Sequence, residues 1–257
     1  MKTIASRDNP FFKQLKRLAQ SARDRAKAGQ TVLDGMHLIL AYETSCGPLE
    51  TLVVNQSALE QEDIAGFLAG RDYVVLPDAL FREAGVVDTP AGIMAVVPLP
   101  ASPVADPLAD TVVLDGVQDP GNVGTLLRTA AAAGFTQAVL SPDSAGAWSP
   151  RVLRAGQGAH FLLDIIQQDE LAGFLSTYRG TVAVTQLAES LSLFEARLAA
   201  PLAWVFGSEG QGVRPATAAH AQLKIRIPMP GAMESLNVGA AAAVCLFETV
   251  RQRLGKA

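Results

Sequence analysis

Three stretches in the second half of the chain combine glycine, proline and polar residues in patterns that suit catalysis. Each follows an apolar run typical of a buried strand, and in open α/β sheets ligands bind at the carboxyl ends of the strands. The first stretch is the turn signature Asp119-Pro-Gly-Asn122, with Arg128 six residues further on. Asn122 and Arg128 are hydrogen-bonding groups that can hold a polar substrate. The structural alternative is an Asn that caps a helix and an Arg on the surface.

The second stretch, Gly207-Ser-Glu-Gly-Gln-Gly212, places three glycines in six residues after an apolar run. Glycines there let the backbone approach a ligand closely. The spacing matches neither a P-loop, since no Gly-Lys-Ser/Thr follows, nor the G-x-G-x-x-G fingerprint. It is not a nucleophile elbow, because Phe206 occupies the first glycine position. Glu209 has no evident structural duty and is a candidate for chemistry; a tight turn with an exposed Glu is the alternative.

The third stretch, Ile227-Pro-Met-Pro-Gly-Ala-Met-Glu-Ser-Leu-Asn-Val238, leads from a predicted strand into a helix that we expect to begin near Ser235. Ser235 and Asn237 at a helix start direct polar groups and free N–H donors into a cleft. A simple helix cap at Ser235 is the structural alternative.

Strands and helices alternate along most of the chain, which predicts an α/β fold. In the first part, predicted strands lie at 51–54, 73–76 and 93–97, and predicted helices lie at 10–28, 36–45 and 58–69. In the second part, predicted strands lie at 111–115, 137–141, 181–185, 202–206 and 223–227, and predicted helices lie at 122–134, 149–157, 169–178 and 235–254. Continuous apolar strands between helices predict a mostly parallel sheet with both faces covered.

A proline-rich segment separates the two parts, because four of the fifteen prolines fall within residues 98–107. Proline fixes φ and removes a backbone donor, so this segment is typical of a linker. We therefore predict a smaller α/β domain at 1–97, a linker at 98–109 and a larger α/β domain at 110–257.

Composition and charge limit the partners. The 257 residues are 49% hydrophobic and 18% charged, which excludes a disordered protein. The formal net charge of −4 divides into +6 over residues 1–27, −10 over 28–110 and 0 over 111–257. Phosphate binding depends on local potential, so the basic segment, with Lys13, Lys16 and Arg17, is a candidate RNA contact; a solvated helix face is the alternative.

Other sequence features favour a cytoplasmic protein. No apolar run approaches the ~20 residues of a membrane span, and the first residues have no hydrophobic leader. Cys46 and Cys245 match no metal-binding spacing. We therefore expect no membrane and no metal.

The three stretches, in this order, resemble the SpoU/TrmH family of RNA ribose 2′-O-methyltransferases, within the SPOUT superfamily. They match the family patterns Asp-Pro-x-Asn-x-Gly-x-x-x-Arg-Thr-Ala, Gly-Ser-Glu-Gly-x-Gly and Ile-Pro-Met…Glu-Ser-Leu-Asn-Val. The first domain resembles, more loosely, the family's ribosomal-protein-like substrate-binding domain, through Asn9-Pro10, Lys13 and Leu33-Asp-Gly35. It departs from that pattern at Asp34, where the family usually has Glu.

The resemblance implies an α/β trefoil-knot domain, a homodimer with the active site near its interface, no metal, and S-adenosylmethionine as cofactor. It implies that the cofactor binds bent against the second and third stretches, at Gly207, Ser208, Gly210, Ile227, Met229, Ser235 and Leu236. It further implies that the catalytic residues are Asn122, Arg128, Glu209, Ser235 and Asn237.

For such a reaction we expect Arg128 to contact the target 2′-hydroxyl or the adjacent phosphate. A guanidinium stays protonated in proteins, so it suits stabilising the developing alkoxide better than removing a proton. We expect Glu209 to hold Arg128 and Asn122 in place or to accept the proton, and Ser235 and Asn237 to orient the ribose.

Several functions remain open at this point. By resemblance, the separate N-terminal domain favours ribosomal RNA over transfer RNA as the substrate. The alternatives are a transfer-RNA 2′-O-methyltransferase, a catalytically inactive RNA-binding or assembly protein of the same fold, and a base methyltransferase of a related knotted family. A Rossmann-type dehydrogenase is excluded, because no dinucleotide fingerprint follows any strand.

Overall fold

The computed structural model describes residues 1–85, 90–168 and 170–255. Its two compact units are Met1–Ala101 with Trp148–Phe161, and Ser102–Ala147 with Leu162–Ala257. The parts of the predicted domains at 86–89, 169 and 256–257, including the predicted start of the helix 169–178, lie outside the described residues.

The first unit contains a five-stranded mixed sheet in the order β1-β4-β3-β5-β2. Its elements are β1 (Lys2–Thr3), α1 (Pro10–Gln20), α2 (Ala22–Ala28), β2 (Gln30–Asp34), α3 (Met36–Cys46), β3 (Thr51–Asn55), a 3-10 turn (Ser57–Glu60), α4 (Glu62–Leu68), β4 (Tyr73–Leu76), α5 (Asp78–Ala84), β5 (Ile93–Pro98), α7 (Pro150–Gly156) and a second 3-10 turn (Ala159–Phe161).

Side chains of the sheet alternate between two buried clusters, as the two-residue period of a strand requires. Val53 packs with Phe12 and Leu15 of α1 on one face. Leu52 and its neighbours pack with α3 and α4 on the other face. The sheet is therefore covered by helices on both sides, which is the α/β layering that the sequence predicts.

The segment 148–161, which we predicted within the second domain, packs with the first unit instead. The Thr31 hydroxyl donates to the Trp148 carbonyl at 2.7 Å. Arg154 forms an ion pair with the buried carboxylate of Asp34 at 2.7 Å. Because these partners lie more than one hundred residues apart in the chain, local sequence patterns carry no sign of them.

The basic segment predicted as one helix at 10–28 forms two helices. Asn9 caps α1 by accepting from the Phe11 amide at 2.9 Å. Ser21 has an extended backbone, ends α1 and caps α2 by accepting from the Asp24 amide at 3.1 Å. The helix axis is thus interrupted by a residue type that favours caps over helix interiors.

The second unit contains a seven-stranded, fully parallel sheet in the order β10-β12-β9-β11-β6-β7-β8. Its elements are β6 (Thr111–Asp115), α6 (Pro120–Ala132), β7 (Gln137–Leu140), β8 (Asp164–Gln167), α8 (Leu171–Thr177), β9 (Thr181–Thr185), β10 (Leu191–Ser192), β11 (Leu202–Gly207), α9 (Pro215–Ala218), β12 (Leu223–Arg226) and α10 (Val238–Leu254). The central strands β6 and β11 are buried throughout, as their continuous apolar sequence predicts.

Helix α10 packs closely on α6. A Cβ on Gly239 would lie 3.0 Å from Cγ2 of Thr125, so the Thr125 side chain would have to shift by a few tenths of an ångström to admit a larger residue. Further along α10, the Thr249 hydroxyl accepts from the indole N–H of Trp204, at 3.1 Å. These contacts hold α10 against α6, which carries Arg128 of the first stretch, and against β11, which leads into the second stretch.

Candidate active site

The first two stretches meet because β6 and β11 are neighbours in the sheet. Gly207, the last residue of β11, lies in register with Asp115, the last residue of β6. The loops that follow these strands therefore leave the same edge of the sheet side by side. This is the edge at which open parallel sheets bind ligands.

The glycine loop after β11 folds back on itself. The Gly212 amide donates to the Ser208 carbonyl at 2.8 Å, and Gly212 has a φ of +68°. A Cβ on Gly207 would lie 2.0 Å from the carbonyl carbon of Gly212, which no side chain can tolerate. Glycine at 207 is therefore required for this loop to close.

An ion pair that sequence reasoning missed holds the loop to β6. The Arg214 amide donates to Oδ2 of Asp115 at 2.9 Å, and its Nε donates to Oδ1 at 2.5 Å. The Asp115 side chain is fully buried. The hydrogen bonds to Asp115 raise the pKa of Arg214 above its usual value. The one available signal was an Asp at the end of an apolar strand.

One polar cluster joins the three stretches. Asn122 donates from Nδ2 to Oε1 of Glu209. Asn237 donates from Nδ2 to Oδ1 of Asn122 at 3.0 Å and to Oε1 of Glu209 at 3.2 Å. Among the described residues no hydrogen bond reaches the second oxygen of Glu209, Oε2. Two amides thus fix one carboxylate oxygen and leave the other open as an acceptor.

The helix starts differ from our expectation. Asp119, not Asn122, caps α6, accepting from the Asn122 amide at 2.8 Å. Helix α10 begins at Val238 rather than near Ser235, and Asn237 is its cap, accepting from the Gly239 and Ala240 amides at 2.9 and 3.3 Å. The cap fixes the Asn237 side chain and so aims its amide nitrogen at Glu209.

A cavity of about 400 Å³ opens beside this cluster. The ends of β9, β11 and β12 and the start of α10 form it, and Glu209 lies on its wall. Six of the seven predicted cofactor residues line it: Gly207, Ser208, Ile227, Met229, Ser235 and Leu236. Its size is that of an ordinary small-molecule site.

The seventh predicted cofactor residue, Gly210, does not line that cavity. It lines a neighbouring cavity of about 300 Å³, together with Asp115, Asp143 and Arg214. The glycine loop separates the two cavities, since Ser208, Glu209, Gln211 and Gly212 contribute to both.

Arg128 is not part of the polar cluster. It lies exposed on α6, and within the described parts of the chain no hydrogen bond or ion pair joins it to Glu209 or to Asn122. Of the two partners that we expected for Glu209, Asn122 contacts it and Arg128 does not; the amide of Asn237 is the second donor. The Arg128 guanidinium is left accessible to solvent.

The predicted RNA contacts of the first unit differ in whether their charge is already paired with a carboxylate. Lys13 forms an ion pair with Asp8 at 2.8 Å, and Lys16 forms one with Glu83 at 2.9 Å. The hydrogen bond from Lys16 is the main cause that lowers the pKa of Glu83. Arg17 is exposed in the last turn of α1 and has no ion-pair partner in the portion of the chain described.

Within residues 1–85, 90–168 and 170–255, no helix combines the length and the apolar character needed to cross a bilayer. No three or more His, Cys, Asp or Glu side chains in the same portion are grouped so that they can hold a metal ion.

Comparison with protein-family models gives two matches. The model of the SpoU rRNA Methylase family matches residues 110–247, which is more than half of the chain. The model of the MRM3-like substrate binding domain matches residues 9–95. The two matched regions lie on either side of the proline-rich segment.

Individual proteins match over nearly the full length. The 23S rRNA (guanosine(2553)-2′-O)-methyltransferase RlmP of Bacillus subtilis is 30% identical over 96% of this chain and 98% of its own. A crystal structure of an RNA 2′-O ribose methyltransferase has a TM-score of 0.84 and 30% identity over 98% of this chain and 99% of the other. The SpoU methyltransferase AviRb of Streptomyces viridochromogenes, solved with AdoMet, has a TM-score of 0.84 and 25% identity over 96% and 98%.

Proposed function

We propose, from the premise that this chain belongs to the SpoU rRNA methylase family, that it methylates a ribose 2′-hydroxyl in ribosomal RNA. The family and the AdoMet-bound neighbours make it an S-adenosylmethionine-dependent RNA 2′-O-ribose methyltransferase with a SPOUT-type α/β domain. The observation that carries the proposal is the Asn122–Glu209–Asn237 cluster on the wall of the 400 Å³ cavity.

The cavity fits S-adenosylmethionine by size and by lining. The strict need for glycine at 207 brings backbone, rather than side chains, to the cavity wall. Ile227, Met229 and Leu236 supply apolar surface, and Ser208 and Ser235 supply hydroxyls. When bound, the cofactor supplies an activated methyl group on a sulfonium.

The residues of the cluster then have separable roles. We assign Oε2 of Glu209 as the acceptor of the 2′-hydroxyl hydrogen bond and of its proton, because Oε1 is already occupied by the two amides. Asn122 and Asn237 are positioning residues for that carboxylate. Ser235, on the cavity wall, orients the ribose. Alignment of this kind supplies ~7–11 kcal/mol in favourable cases, and general-base help is typically ~100–10,000-fold.

Arg128 has a different role in this proposal. Its exposed guanidinium binds the target hydroxyl or the adjacent phosphate, so it meets the RNA rather than Glu209. The basic helices α1 and α2 of the first unit bind RNA phosphates, and the match of residues 9–95 to a substrate-binding model supports this. Arg17, which has no ion-pair partner among the described residues, contributes more than Lys13 and Lys16, whose charges are already paired.

Assembly and location complete the proposal. The enzyme acts as a homodimer in the cytoplasm, without a metal. Phe247 and Leu254 lie seven residues apart on one face of α10 and are 48% and 72% exposed, which supports a subunit contact there. The C-terminal segment forms the trefoil knot. Three features of this segment support the knot. It starts from β12, which pairs with β9; its residues after β12 line the same cavity as the glycine loop; and its helix α10 packs on α6.

The experiment uses the full chain, labelled S-adenosylmethionine and total RNA from a strain that lacks the gene. The RNA is separated into ribosomal and transfer fractions, digested to nucleosides and analysed by mass spectrometry. We expect a 2′-O-methylnucleoside in the ribosomal fraction. A product only in transfer RNA, a base-methylated nucleoside, or no transfer at all would each contradict the proposal and point to one of the alternatives.

Glu209→Gln tests the chemistry, because it keeps the shape of the side chain and removes the proton acceptor. We expect a loss of roughly 100-fold or more in the single-turnover rate, with cofactor affinity unchanged. The matched control is Glu170→Gln, an exposed position beside α8. A near-normal rate in Glu209→Gln would remove this residue from the chemistry.

A further inference from the structure

The second cavity lies on the opposite side of the glycine loop from the cofactor cavity. Its volume is about 300 Å³, and it shares Glu209 with the first. A ribose held at Glu209 carries its own base, so that base needs a site within one nucleotide of this carboxylate. The second cavity meets this requirement in two respects, since Glu209 lines it and its size admits a nucleobase.

The polar groups of this cavity are not equally free. Asp115 is fully buried, and both of its oxygens accept from Arg214. The carboxylate of Asp143 is about half exposed, and its nearest cation is Nη1 of Arg214, at 3.5 Å. A hydrogen bond from Ser141 lowers the pKa of Asp143, so the side chain is an acceptor at neutral pH.

The wall between these groups is backbone. Gly116 has a φ of +73°, and a Cβ there would lie 3.1 Å from Oδ2 of Asp143. A Cβ on Gly210 would meet nothing within 4 Å. The cavity thus offers the half-exposed carboxylate of Asp143, which accepts a long hydrogen bond from Nη1 of Arg214, and the Nη hydrogens of Arg214 that neither carboxylate occupies.

We propose that this cavity receives the base of the target nucleotide and that Asp143 and Arg214 select guanine, an inference that rests on the proposed function. Guanine places two adjacent donors, N1–H and N2–H, beside the acceptor O6. Asp143 accepts from the two donors, and Nη1 of Arg214 donates to O6. The other three bases lack two adjacent donors for one carboxylate. Enzymes that act on extruded nucleotides read the Watson–Crick edge in this manner.

The first measurement identifies the product of the wild-type enzyme on ribosomal RNA. We expect 2′-O-methylguanosine. 2′-O-methyladenosine, -cytidine or -uridine would overturn this inference and leave the proposed function intact. No methylated nucleoside, or a base-methylated one, would instead contradict the proposed function.

The second measurement tests whether the enzyme recognises the N2 amino group of the base. Ribosomal RNA is assembled by ligation with guanosine or inosine at the mapped nucleotide, since inosine lacks only the N2 amino group. For the wild type we expect kcat/KM to fall by about 10- to 100-fold with inosine, because one hydrogen bond to a charged group is lost. For Asp143→Ala and Asp143→Asn we expect a lower rate with guanosine and a guanosine-to-inosine ratio near one.

An equal ratio in wild type and Asp143→Ala would overturn the assignment of Asp143. Asp164→Asn, exposed on β8, is the matched control and should keep the wild-type ratio. Cofactor affinity, measured by calorimetry, should be unchanged in the Asp143 variants. That result separates a lost base contact from a collapsed glycine loop.

Discussion

Asn237 caps a helix with its side-chain oxygen and donates hydrogen bonds with its side-chain nitrogen, and replacing that nitrogen by oxygen separates the two roles. Its Oδ1 caps α10, and its Nδ2 donates to Asn122 and Glu209. In Asn237→Asp one carboxylate oxygen keeps the cap, because Asp and Asn are equally good caps. The other oxygen now faces two acceptors, so both donated hydrogen bonds are lost. In Asn237→Ala the cap is lost as well.

The expected magnitudes follow from these contacts. The bond to Asn122 is neutral, worth about 0.5–1.5 kcal/mol, and the bond to the Glu209 carboxylate is worth about 1.5–3 kcal/mol. A combined loss of about 2–4.5 kcal/mol corresponds to roughly 30- to 2,000-fold in kcat/KM. The missing cap in Asn237→Ala should cost a further 0.5–2 kcal/mol or so in the free energy of unfolding. Asn237→Asp should retain that stability.

The assay pairs single-turnover methylation of ribosomal RNA with urea unfolding of the same preparations. We expect similar losses of activity in both variants and a urea midpoint that is lower in Asn237→Ala than in Asn237→Asp, because only the alanine variant also loses the cap. Asn55→Asp is the control, because Asn55 caps a turn of the first unit at the Ala58 amide, 3.0 Å away. An Asn237→Asp enzyme within threefold of the wild type would refute the positioning role. So would an activity loss that merely follows a loss of stability.

Three further predictions concern the loop and the RNA surface. Gly207→Ala should weaken S-adenosylmethionine binding at least tenfold in calorimetry, because its Cβ would lie 2.0 Å from the Gly212 backbone; unchanged affinity would show that the loop tolerates a side chain. Asp115→Ala should lower the free energy of unfolding by about 1.5–3 kcal/mol in urea, since Arg214 loses its buried partner; a change within error would mean the pair contributes nothing. Arg17→Gln should reduce the slope of log K against log [salt] for RNA binding by roughly 1, and the paired Lys13 should matter less; equal slopes in both variants would contradict that difference.

The sequence was sufficient for much of the architecture. Buried parallel strands are continuous in apolar residues, so β6, β9 and β11 are legible without tertiary information. Loops at the carboxyl ends of such strands share one edge of the sheet, which is why three stretches far apart in the chain could be assigned to one site. Very short strands such as β1 and β10, two residues each, are invisible at this level, because they exist only through pairing with a neighbour.

Details of the site depended on contacts that no local pattern encodes. Ser235 and Asn237 are both residue types that cap helices well. Asn237 is the cap of α10, and its amide also donates to Asn122 and Glu209, which lie close only in the folded chain. The same holds for the second partner of Glu209, which is the amide of Asn237 rather than Arg128.

What the sequence by itself determined is the set of residue types at three strand ends, the α/β class and the basic character of residues 1–27. Tertiary structure alone decided which of these side chains meet, because hydrogen bonds reach about 3 Å and pairing across 87 or 115 residues is set by sheet order. It also decided that residues 148–161 join the first unit and that Asp115 and Arg214 hold the glycine loop.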